Sequence, residues 1–429
     1  MEETGFGFDD VSVEMQDFEV VKTGKFDRSW KIGPGGSMVQ IPRIERGIIY
    51  FGSCNQNLYA LDAGTGEEIW RFRTNGVIFN SSPELSKGVV YIGSYDQNIY
   101  AVDSRNGKLL WKFQTNDKIV SSPFVSNGIV YIGSGDNFLY ALDAETGKLL
   151  WKFRTFDKIT STPTVHGDKV FIGSFDRNFY CLDAFTGSLK WKFATNGEVH
   201  ILNQVLINKG VVYFGSFDNN LYAVDIDGGK KLWHFRVGQY GNFMSPVLER
   251  DILYQSSRDG TLYAIGLDGR EMWRFRKNEM FAVPLIFNNR IYVGCDDFNL
   301  YCLDMGGVEK WKFQTQGIVW KRPVAYEGSI YFTSWDCNVY AMDLKDRSLM
   351  WKFRCDGSPA YIPPPHASFE MRLKLPSISP GEEKRKEYSF DAIGEEQGIS
   401  TYKSRITYQV STRYAAKGKY QKDSDEEAF

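Results

Sequence analysis

Short runs of alternating apolar and polar residues recur along most of the chain, and four such runs make up each repeat. In the repeat from Gly128 to Phe153, the runs VYIG, LYAL and LLWKF are separated by Gly, Asp and Asn. Alternation with a period of two is typical of half-buried strands, and the separating residues are typical of tight turns. A fourth run, KIVSSPFV over 118–125, precedes them, and its proline suits an edge strand. Each repeat therefore predicts a four-stranded antiparallel meander, whose strands are called A, B, C and D in chain order.

A tryptophan marks the D run of every repeat, and these tryptophans recur every 38 to 42 residues. They are Trp70, Trp111, Trp151, Trp191, Trp233, Trp273, Trp311 and Trp351. A fixed period of this length indicates a solenoid, a propeller or an array. One meander cannot bury both its faces, so neighbouring meanders must stack, and closure into a ring protects the terminal ones. The prediction is an all-β fold, an eight-bladed β-propeller of four-stranded antiparallel blades.

The closure of the ring leaves two alternatives open. Trp30, in SWKIG, lies 40 residues before Trp70 and resembles a ninth D strand, and SPAYIPPP over 358–365 resembles a ninth A strand. Either these pieces pair with the first and last blades, or they form a ninth, composite blade. Eight blades are favoured because Ile32 stands where the full repeats carry phenylalanine.

The repeats resemble the PQQ-like repeat, whose form is close to VYVGSxDGxLYALDAxTGKxLW, from about Gly47 to Phe353. The resemblance implies a propeller in which each D-strand tryptophan docks between adjacent blades. The same repeat occurs in quinoprotein dehydrogenases and in the propeller lipoprotein that helps to assemble outer-membrane proteins. Those dehydrogenases hold PQQ beside a vicinal Cys–Cys disulfide, with calcium, a catalytic aspartate and a stacked tryptophan. Here no two cysteines are adjacent and no insert interrupts the repeat, so we expect no catalytic residues and no cofactor.

Outside the repeats the character of the chain changes. We divide it into an acidic N-terminal segment (1–25), the propeller (26–376) and a polar tail (377–429). The tail has few aliphatic residues and cannot bury enough apolar surface to fold alone, so disorder is predicted. Its tyrosines recur every six residues and would share one face of a strand, which leaves β-addition to a partner or to a blade edge open. They are Tyr402, Tyr408, Tyr414 and Tyr420.

Charge and composition exclude several classes of partner. The formal net charge is −2, so no global field favours nucleic acid. No run reaches the 18 apolar residues of a membrane helix, and no membrane insertion is expected. The first residues lack a basic and then apolar signal sequence, and six cysteines without an export signal indicate free thiols. We therefore expect a cytoplasmic protein.

Comparison among the repeats separates structural residues from candidate functional ones. An aspartate opens the C–D turn in most repeats and another lies in the B–C turn, so both are assigned to turn formation. No cysteine and histidine spacing matches a zinc site, and no metal site is predicted. Function is expected where one repeat departs from the others.

The departures lie on one face. In an A–B–C–D meander the B–C turns and the D–A segments share a side of the ring, and both carry aromatic residues there. The D–A segments contribute His200, Tyr240, Phe243 and Phe281 as well as Trp320. Tryptophan, tyrosine and arginine are the residues that anchor interfaces, and the prediction assumes that the side chains reach the surface. The predicted partner-binding residues are Tyr95, Phe175, Phe217, Trp320, Lys321, Arg322 and Trp335.

These observations favour a non-catalytic binding or scaffolding propeller that presents an aromatic and basic face to a protein or peptide. A PQQ-dependent oxidoreductase is the alternative from another class. A propeller that binds a carbohydrate or another small ligand on its aromatic face is a third possibility.

Overall fold

A computed structural model of the protein describes residues 38, 40–201 and 203–357, which form eight four-stranded antiparallel sheets. Blades 1 and 2 comprise β1 (Arg43–Glu45), β2 (Ile48–Gly52), β3 (Asn57–Asp62), β4 (Glu68–Arg73), β5 (Glu84–Ser86), β6 (Val89–Gly93), β7 (Asn98–Asp103) and β8 (Leu109–Gln114). Blades 3 and 4 comprise β9 (Phe124–Ser126), β10 (Ile129–Gly133), β11 (Phe138–Asp143), β12 (Leu149–Arg154), β13 (Thr164–His166), β14 (Lys169–Gly173), β15 (Asn178–Asp183) and β16 (Leu189–Ala194). Blades 5 and 6 comprise β17 (Leu206–Asn208), β18 (Val211–Ser216), β19 (Asn220–Asp225), β20 (Lys231–Arg236), β21 (Val247–Glu249), β22 (Ile252–Ser256), β23 (Thr261–Gly266) and β24 (Glu271–Arg276). Blades 7 and 8 comprise β25 (Leu285–Phe287), β26 (Arg290–Gly294), β27 (Asn299–Asp304), β28 (Glu309–Gln314), β29 (Val324–Tyr326), β30 (Ser329–Thr333), β31 (Asn338–Asp343) and β32 (Leu349–Arg354).

Each blade is a meander in which strand order follows the chain, so the prediction of eight blades is confirmed. The A strands of neighbouring blades contact one another, which places them nearest the ring axis. The D strands lie at the outer edge, where their side chains alternate between exposed and half-buried. No described residue belongs to a helix that could cross a membrane. Trp30, residues 358–365 and the tyrosines of the tail lie outside the described residues.

A hydrogen bond that we call the turn latch fixes the B–C turn in six blades. The hydroxyl of a C-strand tyrosine donates to the carboxylate of the turn aspartate, with oxygen separations of 2.5 to 2.7 Å. Burial and the neighbouring carboxylate raise the pKa of each of these tyrosines. The pairs are Tyr100–Asp96, Tyr140–Asp136, Tyr180–Asp176, Tyr222–Asp218, Tyr301–Asp297 and Tyr340–Asp336.

The D-strand tryptophans contact the next blade. The indole Nε1 of Trp151 donates to the carbonyl of Ala184 at 3.1 Å, and five other D-strand tryptophans make the equivalent bond. Each ring lies against a C–D turn: a Cβ atom added to Gly187 would lie 2.6 Å from the Trp151 ring. Trp70 and Trp191 are buried, whereas the other six are half-buried because the D strand is outermost.

Blade 8 closes the ring onto blade 1 with the same contacts that join other neighbours. The indole of Trp351 and the hydroxyl of Tyr331 donate to the carbonyl of Ala63 at 2.9 and 3.0 Å. Arg71 and Asp356 add an ion pair of 2.6 Å across this seam. Closure therefore requires no strand exchange between blades among the described residues.

Candidate functional site

The B–C turns and the D–A segments lie on one side of the ring, which we call the loop face. Hydrogen bonds between them show this directly. The backbone N–H of Asn116, in the segment leading into blade 3, donates to Asp136 in the B–C turn of that blade at 2.9 Å. Phe156 and Asp176 are linked in the same way at 3.0 Å in blade 4. The C–D turns therefore occupy the opposite face, which we call the turn face.

One position of the B–C turn differs in every blade except for the phenylalanine that blades 4 and 5 share. It follows a serine or cysteine at the end of the B strand or directly after it, and its neighbours in the turn are nearly constant. The occupants, from blade 1 to blade 8, are Cys54, Tyr95, Gly135, Phe175, Phe217, Arg258, Asp296 and Trp335. The fold therefore does not require any one residue type at this position.

Aromatic residues from this position and from the D–A segments form one cluster near the axis, which we call the axial cluster. Its members are Phe175, His200, Phe217, Phe243, Trp320 and Trp335. The ring centroids of Phe243 and Trp320 lie 6.3 Å apart, although these residues lead into blades 6 and 8. The cluster thus bridges blades that are not sequence neighbours.

The assumption that all seven predicted partner-binding side chains reach the surface is wrong. Phe175, Trp320, Lys321 and Trp335 are 4%, 8%, 5% and 3% exposed. The reason is packing between turn and segment: the Phe175 ring lies 5.4 Å from His200, and the Trp335 ring lies 5.6 Å from Trp320. These four side chains build the floor of the loop face and do not offer a contact surface.

The other three predicted residues are half-buried and are not all brought together. Phe217 joins the axial cluster and packs on Phe243 at 6.0 Å. Tyr95 lies apart, against Phe79 at 5.7 Å. Burial lowers the pKa of Arg322, and its Nε has no hydrogen-bond partner among the described residues.

Lys321 occupies a position that is serine in blades 2 to 4, namely Ser81, Ser121 and Ser161. There the serine hydroxyl accepts a hydrogen bond from the last N–H of the B strand. In blade 3, for example, the hydroxyl of Ser121 accepts the N–H of Gly133 at 3.3 Å. The lysine amine instead lies 4.7 Å from the centroid of the Trp320 ring, and no carboxylate pairs with it among the described residues. Burial lowers its pKa to about 7. This lysine costs stability, because a buried amine is hard to keep charged.

His200 lies beside this lysine in a cationic environment. The pKa of its imidazole is lowered to about 3, first by burial and then by the charges of Lys321, Lys158 and Arg258. The hydroxyl of Thr160 hydrogen-bonds to Nδ1 of the same ring. The centre of the loop face therefore combines a neutral imidazole with the basic side chains of Lys321, Lys158 and Arg258.

Two exposed aromatic residues stand out on the loop face. Phe156 is 87% exposed and Tyr240 is 63% exposed, both in D–A segments. Phe156 was not among the predicted residues, although the internal comparison could have revealed it. Other blades carry polar residues at its position: Asn75, Asn116, Asn196 and Gln316.

The described residues do not fit the PQQ site of the dehydrogenases that share the repeat. All six cysteines are buried and free, and none is adjacent to another in sequence. Within the described ranges, no three histidine, cysteine or carboxylate side chains gather where a metal ion could bind.

Sequence profiles identify the family. The profile described as "Beta-alanine-activating enzyme, beta-propeller" matches residues 126–374, more than half of the chain. The chain therefore belongs to that propeller family. A second profile, described as outer membrane protein assembly factor BamB, matches residues 22–122 and 54–160. No curated protein matches the sequence.

Solved structures share the fold at low sequence identity. BamB from Moraxella catarrhalis is 19% identical with a TM-score of 0.60, over 68% of this chain and 90% of that one. The computationally designed Ika8 protein is 16% identical with a TM-score of 0.63, over 70% and 94%. Quinohemoprotein alcohol dehydrogenase from Comamonas testosteroni is 15% identical with a TM-score of 0.61, over 72% and 71%. Because one likeness is to an assembly factor and another to a dehydrogenase, fold alone does not separate binding from catalysis.

Proposed function

We propose that this member of the beta-alanine-activating enzyme propeller family is a non-catalytic binding protein whose loop face contacts a protein partner. The observation that carries the proposal is the exposure of the Phe156 and Tyr240 rings on the loop face, where most other large aromatic side chains are buried. Large aromatic residues bury much apolar area at interfaces and dominate their energetics. Hydrogen bonds tie both segments to the ring, from the Phe156 N–H to Asp176 and from Arg258 to the Tyr240 carbonyl.

The chemistry of the loop face supports binding over catalysis. Within the described part of the chain, no three histidine, cysteine or carboxylate side chains gather around His200 or elsewhere to form a metal site. The cysteine thiols are buried, and burial raises the pKa of Cys54 to about 12, which keeps that thiol protonated. The BamB profile adds a likeness to a protein whose description is that of an assembly factor.

Affinity capture with the full chain tests the proposal. The double variant Phe156→Ser and Tyr240→Ser removes both exposed rings of the loop face. Phe185→Ser is the matched control, because Phe185 is a 52% exposed aromatic residue on the turn face. We expect quantitative mass spectrometry to show partners that the wild type and the control retain and the double variant loses.

The same comparison can contradict the proposal. Circular dichroism first establishes that all three proteins keep the β-sheet spectrum. If the control loses the captured partners while the double variant retains them, the turn face carries binding and the proposal fails.

A further inference from the structure

A basic groove opens on the loop face between the D-strand ends of blades 5 and 6. Its volume is about 690 Å³, and we call it the blade 5–6 groove. Five cationic side chains line it, against the two carboxylates of Asp259 and Glu271. The cations are Arg236, Arg258, Arg274, Arg276 and Lys277.

Two of these cations form no ion pair with any residue that the structure describes. Glu271 is held by Arg274 through two bonds of 2.6 Å, and Lys277 pairs with Glu309 at 3.0 Å. Arg236 and Arg276 are exposed, and neither forms an ion pair with any residue that the structure describes. Two guanidinium groups are therefore available to a ligand, and each can bind a carboxylate through two parallel hydrogen bonds.

The groove exists because blade 6 departs from the repeat. Five of the other segments begin with a threonine whose hydroxyl donates to a carbonyl of the B–C turn, as Thr195 does to Arg177, whereas Val237 replaces it here. The turn latch is also missing, since Tyr263 makes no hydrogen bond to Asp259. Asp259 lines the groove, and its Oδ1 is buried with no donor among the described residues.

Arg258 links the groove to the axial cluster. Its Nη1 donates to the carbonyl of Tyr240 at 2.8 Å, and its guanidinium lies 5.5 Å from the Phe243 ring and 6.0 Å from the Phe217 ring. The exposed Tyr240 ring also borders the groove. A ligand in the groove would meet cations and an exposed aromatic ring.

We propose that the blade 5–6 groove binds an acidic peptide segment of the partner, an inference that rests on the proposed function. Carboxylates of such a segment would pair with Arg236 and Arg276. The formal net charge of −2 gives no global field that would draw a nucleic-acid backbone to this surface, so an acidic peptide is favoured.

Fluorescence anisotropy with the full chain tests this assignment. The probes are the fluorescein-labelled peptide EDEYEDE and its amide counterpart QNQYQNQ. We expect saturable binding of EDEYEDE, at least tenfold weaker binding of QNQYQNQ, and loss of affinity as salt rises to several tenths molar, because exposed charges are screened.

Matched variants locate the site. The double variant Arg236→Gln and Arg276→Gln should bind EDEYEDE at least tenfold more weakly. Arg154→Gln with Arg354→Gln is the control, because these arginines are also exposed and end the D strands of blades 3 and 8. Blades 2 and 7 carry Gln114 and Gln314 at the same position, so glutamine is compatible with the fold.

The outcomes separate this inference from the proposed function. Equal loss in both double variants, equal binding of QNQYQNQ, or tighter binding of a labelled single-stranded DNA of similar charge would overturn the groove assignment. If EDEYEDE does not bind while Phe156→Ser alone releases a captured partner, the groove assignment falls and the proposed function stands. If EDEYEDE binds in the groove but neither Phe156→Ser nor Tyr240→Ser affects capture, the proposed function falls.

Discussion

At the scale of single residues, Lys321 on the loop face is a buried lysine with no carboxylate partner among the described residues. Other blades carry at this position a serine whose hydroxyl accepts a backbone N–H of the B strand. The amine of Lys321 instead contacts the ring of Trp320. Its pKa of about 7 means that part of the folded population carries a charge near neutral pH, at the expense of stability. Residues that cost stability while the fold offers a simpler choice are candidates for function.

Lys321→Met tests this cost. In the unfolded chain the amine keeps its proton up to about pH 10.5, whereas in the folded chain it releases the proton above about pH 7. The unfolded state binds more protons in this interval, so wild-type stability should rise with pH from about 7 to 10.5. Methionine removes this dependence and should raise the free energy of unfolding near pH 7 by on the order of a few kcal/mol.

Urea unfolding at pH 7 and pH 10 measures the difference. The exposed Lys112→Met serves as the control, and its stability should change little at either pH. A Lys321→Met protein that is less stable than wild type at pH 7 would mean that the amine has a stabilising partner.

At the scale of elements, the turn latch is present in six blades and distinguishes them from blade 6. It combines the tyrosine hydroxyl with a turn carboxylate that also accepts a backbone N–H from the preceding segment, as Asp176 does from Phe156. Blade 6 keeps the tyrosine and the aspartate but not the bond between them. Blade 6 also borders the blade 5–6 groove, so the blade without the latch bond is one of the two that form the groove.

Tyrosine-to-phenylalanine variants measure what the latch contributes. Tyr180→Phe leaves the carboxylate of Asp176 without its hydroxyl donor and should cost about 1–3 kcal/mol of unfolding free energy. Tyr263→Phe, in blade 6, breaks no such bond and should cost much less. Chemical denaturation of both variants measures the two losses of unfolding free energy. Equal losses would show that the hydrogen bond to the carboxylate does not stabilise the fold.

At the level of elements, sequence reasoning succeeds where the repeat itself is the signal. The period, the turn residues and the D-strand tryptophans predict four strands per blade and eight blades, because each repeat must solve the same packing problem. The exposure of a variable side chain cannot be predicted in this way. Whether Phe175 or Trp335 is exposed depends on the neighbouring D–A segment that covers it, and that contact has no sequence period. Exposure of Phe156 follows for the same reason, since no neighbouring ring covers it.

At the scale of the whole molecule, the ring closes where blade 8 contacts blade 1, and we call this interface the seam. Three buried thiols lie there: Cys54, Cys337 and Cys355. Burial raises the pKa of the Cys54 and Cys355 thiols, and the sulfur of Cys355 lies 3.7 Å from that of Met38. A closed seam keeps these thiols protonated and inaccessible.

Thiol labelling therefore reports on ring closure. All six cysteines of the chain are buried, so a thiol reagent such as dithionitrobenzoate should react with the native protein only through unfolding. We expect labelling to be slow in buffer and complete in denaturant. Rapid labelling of Cys54, Cys337 and Cys355, with Cys181 and Cys302 unreactive, would show that the seam opens in the native state.

The central claim is that the loop face is the surface that contacts a partner. Hydroxyl-radical footprinting of the full chain, alone and in complex with a captured partner, tests it most directly because it maps contacts without substitutions. The account predicts strong protection of Phe156 and Tyr240 on binding, with no change at Phe185 on the turn face. Protection of Phe185 with Phe156 and Tyr240 unchanged would contradict it.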